Sequence, residues 1–291
     1  MLKNVIKSAV GLSMVAVMGL SLAGCGGGSS SESSERITVI TREEGSGTRG
    51  AFVEIVDVTE GDNDNITTEA VVAPGTSVMM TNVAENPLAI GYASTGVALG
   101  DDRVKVLRID GVEPTVENML NGTYAIQRPF IIGYSTAAGL NPLAQDFVDF
   151  IFSAQGQGVV ADRGYVPFAQ GAPQYSPSGL AGTIVVNGSS SVYSLMQHLS
   201  TAYRDINPNV TIDVHGAGTG HGISAVRDGL ADIAMSSRDL RDTELEFMIP
   251  LTIAIDGIAV IVHPSNSIEG LTIESVRNIF LGEVETWENA R

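Results

Sequence analysis

Three stretches of this chain repeat one local pattern: an apolar, β-rich run, a loop of Gly, Ser and Thr, and then an amphipathic helical pattern. Ile37 to Ile40 precedes Arg42-Glu-Glu-Gly-Ser-Gly-Thr48, Thr183 to Val186 precedes Asn187-Gly-Ser-Ser-Ser191, and Val210 to Val214 precedes Gly216-Ala-Gly-Thr-Gly-His-Gly222. At such a junction the first helical N–H groups have no intrahelical partner, and the positive end of the helix dipole faces the loop. Each junction is therefore a potential anion socket. Strand-then-helix alternation along most of the chain predicts α/β layers with largely parallel sheets.

The first residues read differently. Lys3 and Lys7 precede an apolar run from Ala9 to Leu22, and Leu22-Ala-Gly-Cys25 follows. The run is short for a bilayer crossing, so residues 1–24 are expected to be an export signal. Cys25 is the single cysteine and sits where a lipobox places the residue that is acylated and becomes the new N-terminus; the alternative is a chance cysteine in an ordinary signal. With one cysteine no internal disulfide forms, so stability must come from the core. Residues 25–35, rich in Gly and Ser, predict a flexible tether. The chain beyond Arg36 suits two domains of ordinary size.

Acidic residues number 33 against 16 basic, a formal charge of −17. That balance argues against nucleic acid and anionic membrane surfaces as partners. It does not exclude a small anion. Surface carboxylates are screened beyond about 8 Å at physiological salt, whereas converging N–H and hydroxyl donors act in contact.

Helices are predicted over Val192 to Tyr203, Thr115 to Asn121 and Leu143 to Phe152. Another is predicted from Thr272 to Leu281, with Thr272 as a cap and Gly282 just past the end. Ile253 to Val262 is almost continuously apolar, as in a strand covered on both faces, yet holds Asp256 in its middle. Ala169 to Ala181, with its glycines and prolines, reads either as a domain linker or as a surface loop.

The Arg42 loop offers most chemistry. Arg42 supplies a planar fork of donors, Ser46 and Thr48 supply hydroxyls, and Gly45 and Gly47 let the backbone approach closely. Glu44 is expected to hold Arg42 in position. The Asn187–Ser191 loop taken alone is a capped helix start, with Ser190 or Ser191 as the cap. Gly216 to Gly222 matches neither the dinucleotide fingerprint nor a P-loop, and there is no G-x-S-x-G to serve an esterase. His198, His215, His221 and His263 lack metal-site spacing. Of these, His221 is expected to border a cleft and the others to be incidental.

Longer matches then accumulate. Arg42 to Phe52, Asn86-Pro-Leu-Ala-Ile-Gly-Tyr92, Asp110 to Asn118, Asn121-Gly-Thr-Tyr124, Arg128-Pro-Phe130 and Gly164-Tyr-Val-Pro167 resemble the C-terminal half of the PstS-like phosphate-binding proteins of bacterial phosphate ABC importers. Gly188 to Val192, Ala231 to Arg238, Asp256 to Val260, and Ile279-Phe-Leu-Gly282 with Trp287 resemble the N-terminal half. The halves stand in reverse order, so the resemblance implies a circularly permuted chain. The ends of its folded part must then lie close together.

The resemblance implies a two-lobed periplasmic-binding-protein type II fold, each lobe a mixed, mainly parallel sheet flanked by helices. One lobe is expected from residues 36–126 plus 264–291 and the other from 127–263, with crossings near Ala125 to Arg128 and near Val262 to Ser265. It further implies a lipid-anchored, monomeric protein at the extracytoplasmic face that takes inorganic phosphate, without cofactor or catalysis, and serves ABC permease and ATPase subunits. Alternatives are another tetrahedral oxyanion (sulfate, molybdate or tungstate), a non-transport phosphate sensor, or a hydrolase. The ligand positions implied are Arg42, Ser46, Gly47, Thr48, Ser190, Ser191, Thr219 and Ser237. Some relatives place an aspartate where Ser237 stands here, to accept the proton of hydrogen phosphate. Asp256 is the expected substitute, with Glu44 the second choice.

Overall fold

The structure, a computed structural model, describes residues 36–61 and 63–290, which belong to one compact unit, Ser34–Arg291. The expected leader, the tether and Cys25 lie outside the described residues, as does Arg291. No helix among the described residues is long and apolar enough to cross a membrane.

Eight strands carry the architecture: β1 (Thr38–Arg42), β2 (Val71–Ala73), β3 (Ala89–Ser94), β4 (Gln127–Ser135), β5 (Gly182–Gly188), β6 (Val210–His215), β7 (Ile233–Ser236) and β8 (Met248–Val262). Their hydrogen-bonded order is β6-β5-β7-β4-β8-β3-β1-β2. β1 is parallel to β2 and β3, and β5 is parallel to β6 and β7. Pairing turns antiparallel only where β4 and β8 are involved. Each half is therefore a mixed sheet, parallel away from the middle and joined to the other through one long strand.

That strand is the apolar run seen in the sequence. From Met248 to Gly257 it pairs with β4, and from Ile258 to Val262 with β3. The chain thus changes sheets between Gly257 and Ile258, earlier than the expected Val262 to Ser265. The reason is physical: residues apolar on both faces stay extended while covered on both sides, so the passage falls inside the strand rather than after it. The second passage lies at Ile126 and Gln127, where Ile258 N–H donates to the Ile126 carbonyl at 2.8 Å.

Each lobe has its own core. In the first, Phe52 stacks on Tyr92 with ring centroids 4.1 Å apart and Phe280 meets Phe52 edge-on at 4.7 Å, within a cluster that also buries Ile90, Val260 and Val276. In the second, Phe147, Phe150 and Tyr203 pack with Leu195, Leu199 and Ile184. The helix Ile273–Leu281 has Thr272 as its cap and Gly282 in the left-handed region at φ 81°, the arrangement its termini predicted.

Ala169 to Ala181 proves to be a loop laid on the second lobe. Pro173 accepts from Ala154 N–H at 2.8 Å, Tyr175 N–H donates to Gln155 at 2.9 Å, and Tyr175 and Tyr203 both donate to one oxygen of Asp146 at 2.6 Å. The two ends of the described chain also meet. Arg36 bridges Thr286, and Ile37 N–H donates to the Glu285 carbonyl at 2.8 Å.

Candidate functional site

Arg42 is the last residue of β1 and only 2% exposed. The strand end is fixed by Tyr92, whose hydroxyl accepts from Arg42 N–H at 3.2 Å and shares a 2.8 Å hydrogen bond with Thr41. Burial pushes the Tyr92 phenol up to about 12, so it stays neutral and able to donate. The Arg42 guanidinium reaches forward. Its Nε and Nη2 grip Glu43 at 2.8 and 2.7 Å, its Nη2 also reaches Ser190 Oγ at 3.0 Å, and its Nη1 reaches Thr76 Oγ1 at 3.4 Å. The bracket for Arg42 is therefore Glu43; the structure does not pair Glu44 with it. Burial raises the Glu43 pKa, but the hydrogen bonds from Arg42 and Gly75 N–H outweigh it and hold the carboxyl below its usual range.

Four helix N-termini meet at this end of β1: α1 (Gly47–Val56), α2 (Thr76–Ala84), α3 (Ser190–Ile206) and α4 (Thr219–Arg227). The first two belong to the lobe of Arg42 and the others to the opposite lobe. The guanidinium touches the first residues of α2 and α3, and α1 meets α3 and α4 through Thr48 and Gly47. Ser46 caps α1 by accepting from Arg49 N–H at 3.3 Å, which leaves its own O–H to donate elsewhere. Ser189, rather than Ser190 or Ser191, caps α3, so the next two hydroxyls are released toward the cleft. Ser191 Oγ lies 2.7 Å from Thr48 Oγ1, across the lobes. Ser237 N–H donates to Thr219 Oγ1 at 3.4 Å, and Ser189 Oγ–H donates to Ser237 Oγ at 2.8 Å. Gly47 packs where no side chain fits: a Cβ there would collide with the Thr219 hydroxyl and stand 2.7 Å from Ser237 Oγ.

Thr76 was missed by sequence reasoning. It is 6% exposed, its N–H donates to Ser190 Oγ at 3.3 Å, and its hydroxyl lies 3.2 Å from Ser190 Oγ and 3.3 Å from Ser191 Oγ. The signal was present, since Val71-Val-Ala73 followed by Pro74-Gly-Thr-Ser77 is a fourth copy of the strand–loop–helix pattern.

Asp256 lies elsewhere. It is fully buried, with Oδ1 accepting from Ser94 at 2.8 Å and Thr95 at 3.0 Å, and Oδ2 facing Arg128 at 3.2 Å. Burial pushes its carboxyl up, against the opposing pull of Arg128 and the two hydroxyls. The structure thus brings together Arg42, Thr48, Ser190 and Ser191, with Thr76, and sets Gly47 against Thr219 and Ser237. Asp256 is placed with Arg128 at the sheet crossing.

Two interlobe grooves flank the cluster. One, of about 550 Å³, is lined by Thr76, Ser190, Tyr193 and His215. The other, of about 890 Å³, is lined by Ser46, Arg49, Gly220 and Arg238. His215, expected to be incidental, therefore borders the cleft. Among the described residues no group of three or more His, Cys, Asp or Glu side chains could hold a metal. Chemically, the cluster is rich in donors, with one cation and hydroxyls that now satisfy one another. Hydroxyls can turn from mutual bonding to donating toward an anion, which strengthens each bond roughly twofold.

Comparison with known proteins agrees with this architecture. The family model for the PBP superfamily domain matches residues 30–155 and 173–291. A crystal structure of a phosphate ABC transporter phosphate-binding protein from Streptococcus pneumoniae superposes with a TM-score of 0.70 at 40% identity, covering 88% of this chain and 100% of that one. The fold is accordingly that of type II periplasmic solute-binding proteins. Phosphate-binding protein PstS 2 of Streptococcus agalactiae is 40% identical over 289 residues, spanning 96% of this chain and 97% of its own length. The chain belongs to the PstS family of phosphate-binding proteins. PstS of Bacillus subtilis is 33% identical over only 138 residues, 46% of this chain and 42% of its own.

Proposed function

We propose that this protein captures inorganic phosphate between its lobes at the extracytoplasmic face and hands it to an ABC importer, anchored to the membrane through a lipid on Cys25. The observation that carries this reading is the cluster itself: a buried arginine and hydroxyls from both lobes, converging at four helix N-termini. A tetrahedral oxyanion accepts hydrogen bonds in every direction, and here donors come from both lobes. The relatives named above as phosphate-binding support phosphate as that oxyanion.

The binding residues in this reading are Arg42, Ser46, Gly47, Thr48, Ser190, Ser191, Thr219 and Ser237, joined by Thr76. Binding requires no chemical step. Phosphate replaces the bonds that Ser190, Ser191, Thr48 and Thr76 make with one another, and each lobe then holds part of the same anion, which keeps the lobes closed on it. The halves of the fold are joined in an order shared with the streptococcal relatives. The match to the Bacillus protein, confined to less than half of each chain, supports a permuted order relative to that protein.

Calorimetry of the purified chain against phosphate tests the reading, with sulfate, molybdate and tungstate as competitors. Micromolar or tighter phosphate binding that excess sulfate does not displace is the expected result. Absence of heat with phosphate, or equal displacement by sulfate, refutes it. Radiolabelled palmitate incorporation, compared between the native chain and Cys25→Ala, tests the anchor.

A further inference from the structure

The most deeply buried ion pair in the described residues lies outside the Arg42 cluster. Arg128 and Asp256 have side-chain exposures of 1% and 0%. They face each other in register on β4 and β8, the last pairing but one before both strands leave the second lobe. A buried ion pair is weak evidence for stability, because well-packed apolar residues in its place are often neutral or stabilising. Its geometry shows what else it does.

Arg128 directs Nε and Nη2 to Asp256 Oδ2 at 3.4 and 3.2 Å, and Nη1 to the backbone carbonyl of Ser237 at 3.3 Å. Asp256 directs Oδ1 the other way, to Ser94 and Thr95 of the first lobe, at the end of β3 and the turn that follows. Thr95 Oγ1 in turn accepts from Gly257 N–H at 3.3 Å. The surroundings leave no slack. Phe130 lies 5.4 Å from the Arg128 guanidinium and 5.4 Å from Tyr165, whose ring occupies the space a Cβ on Gly96 would need. One unbroken chain of hydrogen bonds therefore runs from the first lobe, through both crossing strands, to the loop that presents Ser237.

We infer that Arg128 and Asp256 are positioning residues for the phosphate site: the pair bolts the crossing strands to the first lobe and sets the Ser237 loop against Gly47 and Thr219 when the lobes are closed. This rests on the phosphate-binding reading above. Swinging the lobes apart moves Ser94 and Thr95, which are tied to β8 through Ile258, relative to the Met248–Gly257 part of that strand. Asp256 follows one side and Arg128 pins the other, so the lobe angle and the aim of Ser237 change together.

A double-mutant cycle in the full chain tests it, with phosphate affinity by calorimetry, thermal unfolding in parallel, and the variants Arg128→Lys, Ser237→Ala and their combination. Lysine keeps the charge but cannot serve Asp256 and the Ser237 carbonyl with one planar fork. Each single change is expected to weaken phosphate about tenfold, and the pair well short of the roughly hundredfold that independent sites would give. Additive losses, or native affinity in Arg128→Lys, overturn the inference. Should Arg128→Lys fail to fold, Asp256→Asn replaces it, since the amide still accepts from Ser94 and Thr95; the same shortfall is expected. If instead Asp256→Asn abolishes the preference for phosphate over sulfate and its effect adds to that of Ser237→Ala, the carboxylate faces the ligand and the positioning role is wrong. A native chain that does not bind phosphate at all overturns the functional reading itself, together with this inference.

Discussion

Two arginines in this protein are equally buried and serve opposite ends. Arg42 and Arg128 are each 2% exposed, and each is held by a carboxylate. Arg128 faces a partner that is fully buried and saturated by two further hydroxyls. Arg42 faces Glu43, whose side chain is 25% exposed, and spends its remaining donors on hydroxyls that can be exchanged for a ligand. The first arrangement is closed and the second is poised to change partners. Burial alone therefore does not distinguish the two; what does is whether the groups around the charge can find other partners.

Breaking the closed pair should have the largest effect. Arg128→Met leaves the Asp256 carboxylate buried without a counter-charge, and a loss of about 3–5 kcal/mol in unfolding free energy is expected by urea denaturation. Adding Asp256→Leu should restore most of it. If Arg128→Met is as stable as the native chain, the pair is not the closed unit described here. Arg42→Ala should behave in the opposite way. Phosphate affinity is expected to fall about a hundredfold, close to 3 kcal/mol. Stability should change little, because Glu43 can turn toward water. An unchanged dissociation constant would remove Arg42 from the site.

The difference between the two arginines also shows how far the sequence could be read. Arg42 was legible because its setting is local: the strand ends on it and the Gly-Ser-Gly turn and the helix follow within a few residues, although Thr76 and Ser190 reach it from far along the chain. Asp256 was legible as an anomaly, an acid inside an apolar strand. Its partner was not, because Arg128 reaches it only through the long-range register of β4 with β8. Glu44 was named where Glu43 does the work, since two adjacent carboxylates in a loop give no periodic signal as to which turns back. The α2 junction escaped notice because its strand is three residues long and its cap is Gly75, with no capping side chain.

A smaller effect distinguishes how firmly Arg42 is bracketed. Glu43→Gln keeps an acceptor for Gly75 N–H but removes the charge opposite the guanidinium, and a loss of about fivefold in affinity is expected. The carboxyl also links stability to pH. Its folded pKa lies below the ordinary 4.5, so its contribution is present above that value and is lost as pH falls through the lower, folded pKa. The native chain should therefore lose more stability than Glu43→Gln on acidification below pH 4.5. Parallel urea curves for the two at every pH would show that the bracket contributes nothing.

The smallest change probes the exchange of partners directly. Thr76→Val preserves shape and removes one hydroxyl from among those of Ser190, Ser191 and Arg42. If that hydroxyl turns from its neighbours to phosphate, its loss should weaken binding about threefold, less than the roughly 1.5–3 kcal/mol of a full hydrogen bond to a charged acceptor. The α2 N–H groups remain and limit the loss. Thr48→Val, across from Ser191, should cost about as much by the same reasoning. Should Thr76→Val leave affinity unchanged while Thr48→Val weakens it, the ring of donors has three helix N-termini rather than four, and Thr76 supports Ser190 without touching the anion.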